Sequence, residues 1–461
     1  MKKKSGPGKS GKGNPTVVSV DAAAITGPAE FWRYGLGQGG LSDDPMISGH
    51  TALLKNLKPR YIRIFLQEYF EVTPGYRSYD WKKLDAAVNA VLATGAKPMM
   101  AVCFRPKRLY PENDHAKVHP SDYAEWEELM TRMTRHYNID RQCGIEYWEV
   151  FNEPDLGEKG GCPGLFTAAD YLIYYDHTVK GLLAGDPSIK VGGPAVSSCF
   201  SPILESLLDH CSELRVPLHF VSWHIYTNDP ADAGRSVLHV RGLLDKRPAL
   251  ECQTILNEWN ISLAWDRMEP EFQPCFILET TAAFVKTGLD FSCYYHIRDF
   301  HVSLGQFQKF MSARGAADMA RYWNVLPFYG GLFDYQGTIR PAYFVFKLLS
   351  KLTGSLVDLR IEGGKIDAFA ARDAELKTLN IILWNFPAGR PAAADVVLKI
   401  ANLGAGNPTF KRYRFDAGSS GDREEQRLRP EHSASCRGES VTDRFRIAPF
   451  GIHFVSIILD P

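Results

Sequence analysis

What most narrows the folds open to this chain is a repeat of texture. From Phe31 to about Leu352, short apolar runs alternate with longer amphipathic stretches. Apolar runs bounded by turn residues predict buried strands, and apolar residues recurring every three or four positions predict helices laid over them. Eight runs qualify: Phe31 to Gly37, Tyr61 to Leu66, Lys97 to Phe104, Ile145 to Asn152, Lys190 to Pro194, Phe220 to Tyr226, Gln253 to Glu258 and Asp290 to His296. Strand and helix in strict alternation give a parallel sheet, and eight such units close into a (β/α)8 barrel of the TIM type. Helices are predicted at Trp81 to Thr94, Ser121 to Tyr137, Thr167 to Ala184, Phe276 to Thr287 and Pro341 to Leu352, with Ser121 and Asp122, and Thr167 and Asp170, as caps.

After Leu352 the texture becomes short alternating strands broken by Gly and Pro: Leu356 to Ile361, Lys365 to Arg372, Leu379 to Trp384, Asp395 to Ile400, Thr409 to Phe415 and Phe445 to Leu459. That pattern predicts a C-terminal antiparallel β-sandwich domain, with the polar segment Asp416 to Asp443 as a mobile excursion. The resulting division is a disordered basic tail over 1–15, a catalytic barrel over 16–352 and the β-sandwich over 353–461. The tail has no apolar core of the kind an export signal needs, so a cytoplasmic protein is expected. No run of about 18 apolar residues occurs, so no membrane span is expected.

In a barrel of this kind, chemistry gathers at the C-terminal ends of the strands. Two short motifs stand there: Trp148-Glu149-Val150-Phe151-Asn152-Glu153-Pro154 on the fourth run and Thr254-Ile255-Leu256-Asn257-Glu258-Trp259-Asn260 on the seventh. Two rigidly held carboxyls are what acetal cleavage needs, one to protonate the leaving oxygen and one to meet the positive charge growing at the sugar carbon. Glu153 is the candidate acid/base; Asn152 offers an amide to a sugar 2-hydroxyl, and Pro154 stops the ladder so that the carboxyl projects into the cleft. Glu258 is the candidate nucleophile, with Trp259 as a wall of the site.

Between them, Trp223-His224-Ile225-Tyr226 puts His224 and Tyr226 on the same face of the sixth strand, where either can donate to the nucleophile. Arg63, a charge inside the apolar run Tyr61 to Leu66, requires a buried partner, and Glu258 or Glu149 would serve. His296, Arg298, Asp299, Arg105, Trp32 and Gln38 are further rim candidates for substrate hydroxyls. The loop Gly157 to Gly164 is read as a mobile wall beside Glu153.

Composition excludes several classes. With 53 basic and 53 acidic residues the surface offers nothing to a polyanion, so no nucleic-acid partner is expected and a neutral carbohydrate fits. Nine Trp and 20 Tyr supply flat faces for sugar rings, although most such residues serve the core. Nine cysteines, scattered and without a CxxC pair, read as reduced thiols. No HExxH-like spacing occurs, so neither a metal nor any other cofactor is expected.

The motif Trp148 to Pro154 and the Asn257-Glu258-Trp259 triplet, with His224-Ile225-Tyr226 between them, resemble the clan of retaining glycosidases built on (β/α)8 barrels. Within that clan the chain is most similar to glycoside hydrolase family 39, which holds β-xylosidases, α-L-iduronidases and bacterial exopolysaccharide hydrolases. The resemblance implies a barrel with a β-sandwich, Glu153 as acid/base, Glu258 as nucleophile and Asn152 at the 2-hydroxyl. An exo-acting, xylosidase-like enzyme is expected from it. An endo-acting glycanase, an exopolysaccharide hydrolase and a non-catalytic carbohydrate-binding protein stand as alternatives. Two departures leave the sugar open: Phe151 stands where Trp is common, and the eighth strand ends Tyr294-Tyr295-His296 without the Trp that many clan members use as a platform.

Overall fold

The computed structural model of the protein describes residues 14–30, 34–39, 47–264, 269–326, 330–364, 366–387, 389–404, 406–436 and 438–459. The tail expected over 1–15 therefore lies almost entirely outside the described residues, as does Trp32. The chain divides into two compact units, one running from Glu30 to Ser350 and one joining the segment up to Ala29 with Lys351 onward.

In chain order the strands are β1 (Thr16–Pro28), β2 (Tyr34–Gln38), β3 (Tyr61–Leu66), β4 (Lys97–Val102), β5 (Tyr147–Val150), β6 (Lys190–Val196), β7 (Phe220–Tyr226), β8 (Gln253–Asn260) and β9 (Phe291–Tyr295). Strands β2 to β9 form a closed barrel in sequence order, all neighbours parallel. All eight coincide with the runs read from sequence. Helices lie between them, and Asp122 caps its helix by accepting from the amides of Ala124 and Glu125, as Thr167 caps the next by accepting from Asp170.

Side chains fill the barrel in layers. The lowest is apolar, with Tyr61, Met99, Tyr147, Phe220, Ile255 and Phe291 packed together. One step up β3 the alternation turns the next inward residue, Arg63, into the interior, and one step up β5 it does the same for Glu149; both are fully buried. The catalytic candidates stand above this charged layer.

The second unit contains β10 (Ser355–Glu362), β11 (Asp367–Asp373), β12 (Thr378–Trp384), β13 (Ala394–Ala401), β14 (Thr409–Phe415), β15 (Leu428–Ser435), β16 (Val441–Ile447) and β17 (Ile452–Ile458). They form one sheet in the order β15-β14-β17-β12-β11-β10-β1-β13-β16. Pairing is antiparallel except between β1 and β13, and residues from nearly every strand meet in a single core, so the sheet is sandwich-like. Two expectations are corrected here. Residues 16–28 do not open the barrel but form β1 of this sheet, where Val18, Val20 and Ala22 point into its core. The segment 416–443, read as a mobile excursion, contains β15, an edge strand with one buried residue; paired on a single side and exposed along its length, it carries no apolar alternation to read.

Candidate active site

Glu153 follows β5 by three residues, and the chain reaches it through two left-handed backbone conformations, at Phe151 (φ +73°) and at Glu153 itself (φ +45°). Non-glycine residues rarely adopt that region, and such strain gathers where a side chain must be aimed. The Glu153 amide is tied to the Ala195 carbonyl (2.9 Å) at the end of β6. Gly160 lies against the carboxyl so closely that a Cβ there would overlap Glu153 Oε2. The seventh barrel strand is also irregular: register shifts between Trp223 and His224, so that His224 pairs with Glu258 while Trp223 pairs with Leu256. The extra residue lets consecutive side chains both reach the interior, Asn257 donating to Glu149 (2.7 Å) and Glu258 accepting from Arg63.

Arg63 organises the site from below. Its Nε donates to Glu149 Oε2 (2.7 Å), Nη1 to Glu258 Oε2 (3.2 Å) and Nη2 to Asn152 Oδ1 (2.6 Å). The sequence left Glu149 and Glu258 as alternative partners; the guanidinium takes both. Ser222 adds a donor to Glu149 (2.6 Å), so this buried carboxylate is fully engaged as a framework group. Burial by itself would lower the Arg63 pKa, and the two glutamates more than offset that, holding it above its ordinary value.

The two candidate carboxyls have different surroundings. Burial and then the neighbouring Asp155 push Glu153 up to about 8, with only Arg63 opposing. Burial also raises Glu258, and Glu153 adds to this, but His224, Arg63 and a hydrogen bond from Tyr226 pull it back. Burial keeps His224 below its usual pKa and therefore neutral, so at neutral pH the restraint on Glu258 is that of Arg63 and Tyr226. A shared proton thus resides on Glu153, with Glu258 ionised. Of the two expected donors, Tyr226 does reach the nucleophile candidate; His224 instead bonds Glu153, Nδ1 to Oε1, at 3.0 Å.

A cavity of about 350 Å³ opens above these groups. Asn152, Glu153, Tyr226, Glu258 and Tyr295 line it from the strand ends, and Gly160, Gly161 and Cys162 form the wall expected of the 157–164 loop. The other candidates stand back from it. Trp259 alternates outward from Glu258 and packs edge-on to Phe284 and Tyr294, since neighbouring residues of a strand face opposite sides. His296 is fully buried and bonded to Asp299 (2.9 Å), which also pairs with Arg340, so it supports the rim from behind. Arg63 and His224 lie beneath the cavity floor as positioning groups. Arg298 donates to the Tyr335 carbonyl and Gln38 to those of Gly39 and Arg298, while Arg105 holds the carbonyls of Pro163, Asp114 and Lys117. Sequence reasoning missed Phe300 and Trp323, whose rings lie tilted against each other with centroids 5.2 Å apart and which line the cavity. Trp323 comes from the helix Ala313–Trp323, beyond the eighth barrel strand, and no motif marks it. It brings to the cavity a Trp, which Tyr294-Tyr295-His296 lacks.

Glu153, His224 and Glu258 bring one donor atom each within 4.8 Å of one another, the spacing of a loose metal triad. Arg63 and Tyr226 already occupy the two oxygens of Glu258, and a divalent ion would sit beside a guanidinium. The set suits proton handling better than cation binding.

Residues 17–374 match the sequence model of Glycosyl hydrolases family 39. The chain belongs to that family. Among relatives of this family 39 chain, the β-xylosidase of Caldicellulosiruptor saccharolyticus is 26% identical over 348 residues, 69% of this chain and 66% of that enzyme. The β-xylosidase of Geobacillus stearothermophilus is 29% identical over 209 residues, 43% of this chain and 37% of that enzyme, and the α-L-iduronidase of Mus musculus 28% over 161 residues, 32% and 24%. The family 39 chain thus spans less than two thirds of the length of these relatives. In fold it is similar to the GH39 enzyme from Xanthomonas axonopodis pv. citri (TM-score 0.77, 19% identity, covering 97% of this chain and 98% of that one). It is likewise similar to a monomeric β-xylosidase from Caulobacter crescentus CB15 (TM-score 0.75, 20% identity, 96% and 99%).

Proposed function

We propose that the protein is a retaining, exo-acting glycosidase of the β-xylosidase type. One observation carries the mechanism: Glu153 and Glu258 each bring a carboxyl oxygen within 4.8 Å of the other, while burial and Asp155 favour a proton on Glu153 and Arg63 and Tyr226 favour charge on Glu258. This close approach of oxygens supports retention, in which the carboxyls stand about 5 to 5.5 Å apart, over inversion, which leaves about 6.5 to 9.5 Å for a water. Glu258 attacks the anomeric carbon as the C–O bond to the leaving group breaks, and Glu153 gives its proton to the departing oxygen. In the second half Glu153 takes a proton from water, which displaces Glu258 from the sugar. With Nδ1 protonated, neutral His224 donates to Glu153 Oε1 and leaves Oε2 to carry the mobile proton. Asn152, its carbonyl fixed by Arg63, presents its amide to the sugar 2-hydroxyl.

The exo reading is supported by a catalytic cavity at the small end of ligand sites, and the xyloside preference by two of the relatives above, both named β-xylosidases. Aryl glycosides of β-xylose, β-glucose, β-galactose, α-arabinose and α-iduronate test it. Phenol release from the xyloside is expected, abolished in Glu258→Ala, and restored by azide as the glycosyl azide of inverted configuration. Undiminished turnover in Glu258→Ala would remove that residue from the mechanism, and tight oligosaccharide binding without turnover would make the protein a binding module.

A further inference from the structure

After β9 the chain leaves the barrel in an excursion from Phe300 to Asn324 and comes back to where it started. Its base is closed by side chains: the Trp323 indole donates to the Phe300 carbonyl (3.0 Å), and Asn324 exchanges two hydrogen bonds with the Val302 backbone (2.7 and 3.0 Å). Its tip, at Ser312, meets the loop that follows β5. In the closed order from β2 to β9, β5 and β9 stand four places apart, on opposite sides of an eight-stranded ring. The excursion therefore reaches across the barrel mouth, and Met319, Tyr322 and Trp323 on its returning helix line the catalytic cavity.

One carboxylate fastens the tip. Glu158 Oε1 accepts from the Ser312 amide (2.5 Å) and Oε2 from the Ser312 hydroxyl (2.8 Å). Gly315 faces the same carboxyl so closely that a Cβ there would overlap Oε2. Ser312 in turn caps the helix Ala313–Trp323 by accepting from the Gly315 amide (2.9 Å), and a negative charge at that end complements the helix dipole. His115, from the loop after β4, stands 3.5 Å from Oε2. Two other ties hold the tip, Asn113 to the Gln308 carbonyl and Lys309 to Glu71, but both are exposed, where water competes and such bonds contribute little. The Glu158 side chain is only 12% exposed. We infer that Glu158 is a positioning residue, the clasp that holds the excursion across the barrel mouth and so sets where Trp323 stands over the catalytic cavity. Its effect on turnover rests on the glycosidase reading above.

The test is a double-mutant cycle read with the aryl glycoside that the wild type hydrolyses best. In Glu158→Ala, KM is expected to rise roughly tenfold with kcat within about threefold, the mark of lost binding that substrate and transition state share. In a Trp323→Ala background the same substitution should cost less than about twofold, because residues that act as one unit are not additive. Glu158→Gln keeps an acceptor for the Ser312 amide and should recover most of the affinity. Equal losses in the two backgrounds, or an unchanged KM in Glu158→Ala, would overturn the role. Hydrogen exchange on the free protein reads the clasp without turnover: amides of residues 309–324 should exchange roughly tenfold faster in Glu158→Ala than in the wild type, and unchanged protection would overturn the clasp. A wild type silent on every glycoside, with exchange accelerated in Glu158→Ala, would defeat the glycosidase reading and leave the clasp standing.

Discussion

At the residue scale, two glutamates of the same chemistry are set apart by what touches them. Glu153 has burial and Asp155 on one side of the balance and only Arg63 on the other, so it holds a proton up to about pH 8. The acid form is therefore lost as pH rises through that value, and the basic limb of kcat/KM should fall near pH 8. In Glu153→Gln that limb should vanish, while an aryl glycoside with a good leaving group still forms the glycosyl-enzyme. The same shift has a sign for stability. A carboxyl whose folded pKa is raised contributes fully below its unfolded value and loses that contribution as pH climbs through the folded one. Urea denaturation should accordingly find Glu153→Gln gaining on the wild type between about pH 4.5 and 8. A basic limb that persists in the variant would assign it to another group.

Elements explain why some of this was legible and some was not. All eight barrel strands and both catalytic candidates were readable, because a strand buried on both faces is a continuous apolar run and a strand-end Asn-Glu-Pro breaks it visibly. Side-chain direction was harder. Trp259 was expected in the site beside Glu258, but the period of two turns it toward the helices, and the bulge that brings Asn257 and Glu258 inward together has no sequence signature. His296 looked like a rim donor and is held by Asp299 instead, a partner three residues on that only the fold brings into line. β1 was missed although its Val18, Val20 and Ala22 alternate, since the position next to the first barrel run suggested barrel. Its place can be checked: Val20→Asp buries an unpaired carboxylate in the sheet core and should cost about 3 to 5 kcal/mol. Ile25→Asp, at an exposed position of the same strand, should stay within about 0.5 kcal/mol. Equal costs for the two would take β1 out of that core.

For the whole molecule, the formal charge of zero at pH 7 leaves no net charge to draw a charged ligand from a distance. Exposed charges are screened within about 8 Å at physiological salt. Turnover of a neutral aryl glycoside should therefore change by less than about twofold between 0.05 and 0.5 M NaCl, measured as kcat/KM. A steep fall on the α-iduronide measured alongside, with the neutral glycoside unchanged, would point to steering of an acidic sugar by charges local to the cleft. Among the described residues no helix is long and apolar enough to cross a membrane.

The position of β1 in the sheet also sets an order in time. Its last residue is Pro28 and its nearest antiparallel partner begins at Ser355, so about 327 residues must leave the ribosome between them. At roughly 5 to 20 residues per second, an apolar strand waits on the order of 15 seconds to a minute for the neighbour that covers it. The barrel can complete itself in that interval and the second unit cannot. During translation this protein therefore carries an unpaired strand ahead of its barrel, one that refolding from denaturant, with every partner present at once, does not reproduce.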